Sequence, residues 1–215
     1  MKPQTPSSTL DHPLYSFQII TVGNSSVGKT SLIHRLVHQQ FNEQAQPTVA
    51  ISESPVVIVT DIGNASVTLY DTCGHEKYVS LTKNYYKVAD GILLMFDLTD
   101  FKSFEALKTW IRDIEANSSD SKLKEVIVLG NKSDRCDSVV IKENAVRELL
   151  SHYNYSYYYE VSAKTGKGVQ SAVKTLVRKL IETTQNKDEF SNKHKDIDGK
   201  SIDSLGRNKK NNKCC

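Results

Sequence analysis

The stretch Gly23-Asn24-Ser25-Ser26-Val27-Gly28-Lys29-Thr30 decides how this chain is read. It spells G-x-x-x-x-G-K-[ST], a loop that cradles phosphate. Its glycines let the backbone bend tightly and bring peptide N–H groups up to an anion. Lys29 supplies a point charge for β- and γ-phosphates, and Thr30 a hydroxyl for Mg²⁺. Before the loop, Phe17-Gln18-Ile19-Ile20-Thr21-Val22 is apolar and β-branched, as suits a buried strand. After it, Leu32, Ile33, Leu36 and Val37 recur at helical spacing. Strand, loop and helix in that order put the phosphates at a helix N-terminus. The expectation is nucleoside triphosphate binding through Ser25, Ser26, Val27, Gly28, Lys29, Thr30 and Ser31.

Working outward, strand and helix patterns alternate. Pro55 to Asp61 and Ser66 to Tyr70 read as two strands joined by Ile62-Gly63-Asn64-Ala65. Gly91 to Phe96, Val126 to Leu129 and Tyr157 to Val161 read as buried parallel strands. Helical patterns cover Phe104 to Ala116, Lys142 to Tyr153 and Val169 to Gln185. This is the alternation of an open α/β sheet carrying one antiparallel strand, whose ligands bind at the carboxyl ends of the strands. From about Asn186 onward Asn, Lys, Ser and Asp dominate, the composition of a disordered tail. The expected organisation is a flexible segment over 1–14, one domain over 15–185 and a disordered tail over 186–215.

Bulk properties narrow the classes. The chain has 215 residues, 38% of them hydrophobic, enough for one core of ordinary size. A net charge of +3 is too small to argue for nucleic acid. No apolar run approaches the length of a membrane span. Residues 1–12 are polar with no signal-peptide core, and Lys2 excludes N-myristoylation. The cysteines are Cys73, Cys136, Cys214 and Cys215, a spacing that suggests neither disulfides nor zinc. A reducing cytosol is the expected compartment.

Two further constellations follow strands. In Asn131-Lys132-Ser133-Asp134, a carboxylate can accept from guanine N1–H and the 2-amino group. Adenine lacks that pair of donors, so such a site discriminates strongly. Ser162-Ala163-Lys164 follows the next strand and is placed to close over the base. In Asp71-Thr72-Cys73-Gly74-His75-Glu76, Asp71 is placed to hold Mg²⁺ through a water. Gly74 lets a backbone N–H approach the γ-phosphate.

These residues together resemble the Ras superfamily of small GTPases, and within it the Rab family. The P-loop, Thr48, Asp71–Gly74, Asn131–Asp134 and Ser162–Lys164 stand in the family's order and at its usual spacing. Asn84-Tyr85-Tyr86-Lys87-Val88-Ala89-Asp90-Gly91-Ile92 is similar to the Rab segment after the second switch. The resemblance covers about residues 15 to 185 plus the terminus. It implies a P-loop small G domain with a six-stranded, mostly parallel sheet, one antiparallel strand and about five helices. It also implies that Thr48 binds Mg²⁺ and γ-phosphate, that Lys132 packs on the guanine plane, and that the Ala163 N–H meets guanine O6. Lys29, Thr48 and position 75 would carry catalysis, with Thr30, Thr48 and Asp71 around Mg²⁺.

The terminal Cys214-Cys215 resembles the Rab signal for double geranylgeranylation by a prenyl transferase with its escort protein. One lipid holds a protein to a membrane marginally, and two anchor it stably. Arg207, Lys209, Lys210 and Lys213 would add attraction to anionic lipid. The expectation is a protein of the cytosol and the cytoplasmic face of an endomembrane. It would be a GTP-binding switch of vesicular traffic cycling between GDP and GTP states. Its expected partners are an exchange factor, a GTPase-activating protein, a GDP-dissociation inhibitor and effectors.

The chain also departs from its family. His75 stands where the family has a Gln that orients the attacking water. A neutral imidazole has one donor and one acceptor on opposite ring edges, so it does not readily serve both neighbours at once. Slow intrinsic hydrolysis follows, and in the limit a GTP-bound recruitment scaffold. The opposing reading is a His-based mechanism, as in translational GTPases, completed by a dedicated activator. A third reading, an ATPase or small-molecule kinase, is disfavoured by Asp134. Glu53, Tyr70 and Tyr85 occupy the positions of the family's apolar effector patch, and an acidic member should alter partner choice. Cys73 is read as a small buried residue, with a redox-sensitive thiol as the alternative.

Overall fold

The computed structural model describes residues 13–43, 48, 50–73, 79–118, 125–153 and 155–202, and among these the side chains of all but 79–83 and 188–202. Contacts divide the chain into one unit over residues 1–180 and a second over residues 181–215.

The first unit is built on a six-stranded sheet of order β2-β3-β1-β4-β5-β6. The strands are β1 (Tyr15–Val22), β2 (Ser52–Val59), β3 (Asn64–Asp71), β4 (Gly91–Asp97), β5 (Glu125–Asn131) and β6 (Tyr158–Glu160). All neighbours pair in parallel except β2 and β3, which run antiparallel with Ser52 opposite Asp71 and Val59 opposite Asn64. The expected architecture is therefore the observed one. Pro55 lies inside β2 rather than at its start. An edge strand tolerates it, because one side of its ladder has no partner to disappoint.

The helices among the described residues are α1 (Lys29–His38), α2 (Val79–Val88), α3 (Phe101–Glu105), α4 (Leu107–Asn117), α5 (Glu143–Ser151) and α6 (Val169–Ile202). Only Ala106 separates α3 from α4, so the pair acts as one broken helix and the count of helical units is five. That helix starts three residues before Phe104, where the sequence pattern places it. Asp100 caps its N-terminus by accepting from the Lys102 N–H at 3.0 Å. α2 falls outside the helical patterns read from the sequence. None of the described helices is long and apolar enough to cross a membrane.

The central strands are buried on both faces, which explains their continuous apolar runs. Every residue of β4 is buried. Ile20, Val22, Ile92, Leu94, Phe96 and Val128 pack with Trp110, Ile111 and Val146 in one cluster. The alternate residues Ile19, Leu93, Met95, Ile127 and Leu129 are buried as well. Leu176 and Leu180 of α6 approach the sheet closely at Gly91.

Within α6, residues 186–202 are helical backbone. Helix propagation adds one hydrogen bond per residue once the nucleus exists. Residues 186–202 contain no proline and a single glycine, Gly199, to interrupt it. Residues 1–12 and 203–215, including Cys214 and Cys215, lie outside the described residues.

Candidate nucleotide site

Five strand ends deliver the functional side chains to one edge of the sheet. The P-loop leaves β1, Asp71 ends β3, Asp97 ends β4, Asn131 ends β5 and Ser162 follows β6. The sheet order reverses around β1, and that is where an open α/β sheet leaves a crevice. A cavity of about 490 Å³ opens there, lined by Ser25, Ser26, Gly28, Lys29, Thr30, Ser31, Thr48, Asn131, Lys132, Asp134, Ala163 and Lys164, with Phe41, Asn42, Glu43, Thr72 and Arg135 completing the wall. Val27 and Ser162 are buried and act from behind that wall.

Two glycines of the P-loop are dictated by space as well as by dihedral angle. Gly23 has φ +140°, and a Cβ there would stand 2.1 Å from the Met95 carbonyl oxygen. Gly28 has φ +99°, and its Cβ would stand 2.2 Å from Asn131 Nδ2. The loop is braced from α4 as well, where Trp110 Nε1 donates to Asn24 Oδ1 at 2.8 Å.

At the phosphate end, Lys29 is buried and its Nζ donates to the carbonyls of Gly23 at 2.9 Å and Asn24 at 2.8 Å. Burial lowers its pKa to about 8, and the charges of Asp71 and Cys73 oppose that shift. Thr30 Oγ1 lies 2.6 Å from both Asp71 Oδ2 and Thr48 Oγ1, and Thr48 Oγ1 donates to Asp71 Oδ2 at 3.2 Å. Thr48 thus leaves the segment between α1 and β2 to meet the P-loop and β3 at one point. Burial pushes the Asp71 carboxyl up, against the pull of Thr30, Lys29 and Thr48. Asp71 Oδ1 is buried with no hydrogen-bond partner among the described residues. A buried carboxylate with an orphaned oxygen, beside two hydroxyls, is a hard-oxygen donor set that fits Mg²⁺.

At the other end of the cavity, Asp134 Oδ1 accepts from Ser162 Oγ at 2.5 Å. Asn131 uses both ends of its amide: Nδ2 donates to the Val27 carbonyl at 2.8 Å, and Oδ1 accepts from the Ala163 N–H at 3.0 Å. It therefore staples the P-loop to the loop after β6, a role its motif does not declare. Lys132 adopts φ +66° and pairs with Asp97 Oδ2 at 2.6 Å. Burial pushes the Asp97 carboxyl up, but Lys132 together with the Thr99 N–H and hydroxyl outweighs it and holds the group below the ordinary carboxylate range. Asp97 was missed in the sequence. The available signal was an acidic residue closing an apolar run, the same pattern that singled out Asp71. Arg35 was missed too. It sits in a helical pattern as an ordinary exposed-face cation, yet donates to the loop after β6.

Outside the cavity, Glu53 faces Tyr70 in register, and the Tyr70 and Tyr85 rings tilt together with centroids 5.0 Å apart. Glu53 is exposed, but Tyr70 is buried, so little of its ring reaches a surface. Cys73 is a buried free thiol. Gly74 and His75 lie outside the described residues.

The comparisons with known proteins agree in kind. The Ras family profile matches residues 18–182. The chain is 31% identical to Ras-related protein Rab-18 of Lymnaea stagnalis over 168 residues, 78% of this chain and 82% of the relative. It is 34% identical to Ras-related protein Rab-27B of Rattus norvegicus over 188 residues, 80% and 85% of the two chains. It is 34% identical to Ras-related protein Rab-8B of Homo sapiens over 178 residues, 83% and 84% of the two chains.

Proposed function

The chain belongs to the Ras family as a divergent Rab-like small GTPase, and from that premise we propose that it cycles between GDP and GTP states as a membrane-traffic switch with slow intrinsic hydrolysis. The observation that carries the reading is the meeting of Thr30, Thr48 and Asp71 within 2.6–3.2 Å beside the buried Lys29. A segment that reports on the γ-phosphate would bring Thr48 to the phosphate-binding loop, where it stands here.

The division of labour follows. Asp134 accepts from the guanine N1–H and 2-amino group, with Ser162 pinning its Oδ1. Lys29, held by two carbonyls, places its charge against the β- and γ-phosphates. Thr30, Thr48 and Asp71 would hold Mg²⁺, Asp71 through a water, and the ion would supply positive charge against the charge developing on the phosphates. Thr48 and Gly74 hold the two switches while the γ-phosphate is present, and its loss releases them. Cys214 and Cys215, with the lysines before them, carry lipid to a membrane. An exchange factor, a GTPase-activating protein, a GDP-dissociation inhibitor, an escort protein and effectors at Glu53 and Tyr85 complete the cycle. In the limit the protein is a long-lived GTP-bound recruitment module, a reading favoured by His75.

Single-turnover phosphate release from bound GTP tests this reading. His75→Gln is expected to raise the rate at least tenfold. An unchanged rate refutes the impairment, and a parent accelerated by an activator more than His75→Gln establishes the His-based mechanism instead.

A further inference from the structure

We propose that Arg35 is the positioning residue for guanine recognition, locking the loop of residues 162–166 onto the helix that carries the phosphate-binding residues. Arg35 lies in the last turn of α1. Its guanidinium donates in three directions. Nε reaches the Ala163 carbonyl at 3.0 Å, and one terminal nitrogen reaches the Lys164 carbonyl. The other terminal nitrogen reaches the Gln39 carbonyl at 2.6 Å, at the end of the same helix. A planar fork with donors on all three nitrogens suits three fixed carbonyls. An ammonium on a flexible stem does not reproduce it.

The gripped loop is the one that shapes the base end of the cavity. Ser162 Oγ donates to Asp134 Oδ1, and the Ala163 N–H donates to Asn131 Oδ1. Lys164 adds a second tie toward α1's following segment, pairing with Glu43 at 2.7 Å, although both partners are more than half exposed. Arg35 stands six positions along α1 from Lys29, about 9 Å at the helical rise per residue. One rigid helix thus holds the phosphate site at its start and the base loop at its end. Without Arg35 the loop keeps Ser162 and Asn131 as ties on its sheet side and, on the helix side, only the exposed Lys164–Glu43 pair. Asp134 is then pinned less well, and the 2-amino contact weakens before the phosphate contacts do.

The proposal rests on the guanine-nucleotide reading of the cavity, and its test separates the two. Dissociation of GDP and of inosine diphosphate, which lacks the 2-amino group, is measured for the parent, Arg35→Ala and Arg35→Lys. Arg35→Ala is expected to speed GDP loss about tenfold and inosine diphosphate loss by a smaller factor, so that the preference for GDP shrinks. Arg35→Lys, which keeps the charge and is the fallback if the alanine variant does not fold, is expected to fall between. GDP loss within twofold of the parent, or equal acceleration of both nucleotides, overturns the proposal while leaving the cavity's assignment intact. A parent that retains no GDP overturns the assignment and the proposal together.

Discussion

Asn131→Ala removes two buried hydrogen bonds at once, and the structure says what is left behind. The Val27 carbonyl loses its donor at 2.8 Å, and the Ala163 N–H loses its acceptor at 3.0 Å. The site is 2% exposed, so water does not readily replace the amide. Each orphaned group costs about 1–3 kcal/mol, and the total comes to about 2–6 kcal/mol. The two groups belong to the P-loop and to the loop after β6, which both line the proposed nucleotide cavity. The loss should therefore fall on the nucleotide-bound state more than on the fold. With about 2–4 kcal/mol expressed in binding, GDP affinity drops by a factor of about 30 to 1,000. Isothermal titration with GDP, alongside thermal melts of the nucleotide-free protein, separates the two shares. Asn131→Asp should be no milder, since it sets an acceptor against the Val27 carbonyl. An Asn131→Ala protein with GDP affinity within threefold of the parent and an unchanged melting temperature refutes the staple.

Gly28→Ala is expected to cost at least tenfold in GDP affinity, because its Cβ would stand 2.2 Å from Asn131 Nδ2 at a φ of +99°. The double variant with Asn131→Ala should cost less than the two separately, and strict additivity in a binding cycle would refute the shared contact. Asp97→Asn is expected to lower stability by about 1 kcal/mol at pH 7, read by urea unfolding, through loss of the Lys132 ion pair at 2.6 Å. The Asp97 carboxyl is held below its ordinary value in the fold, so its contribution is full above the unfolded value of about 4 and lost as pH falls through the folded one. The gap between parent and Asp97→Asn should therefore begin to narrow below about pH 4 and go on shrinking as pH falls, and a gap that does not narrow on acidification refutes the electrostatic account.

Much of the site was legible because its motifs are contiguous. A P-loop needs glycines, a lysine and a hydroxyl in one short run, and each of them is visible without the fold. The strands were legible as well, since burial on both faces leaves an unbroken apolar run such as Gly91–Phe96. What was not legible depended on distant pieces meeting. The continuation of α6 to Ile202 has no apolar periodicity behind it. Asn131 reads as a base contact, and only the fold reveals it as a staple across 104 positions. Asp97 and Arg35 belong to no motif, because their partners are backbone carbonyls and a lysine brought in from other strands and loops.

By itself the sequence determined the phosphate-loop motif, the order of strands and helices, and the departure at His75, because local chemistry writes each of these into neighbouring residues. Only the tertiary structure decided how the cavity is held together. Five strand ends had to come to one edge before Thr48 could meet Thr30 and Asp71, and before Arg35 could grip the loop that pins Asp134. Those contacts join segments tens of residues apart, and sheet topology, rather than any pattern along the chain, sets which of them come within hydrogen-bonding distance.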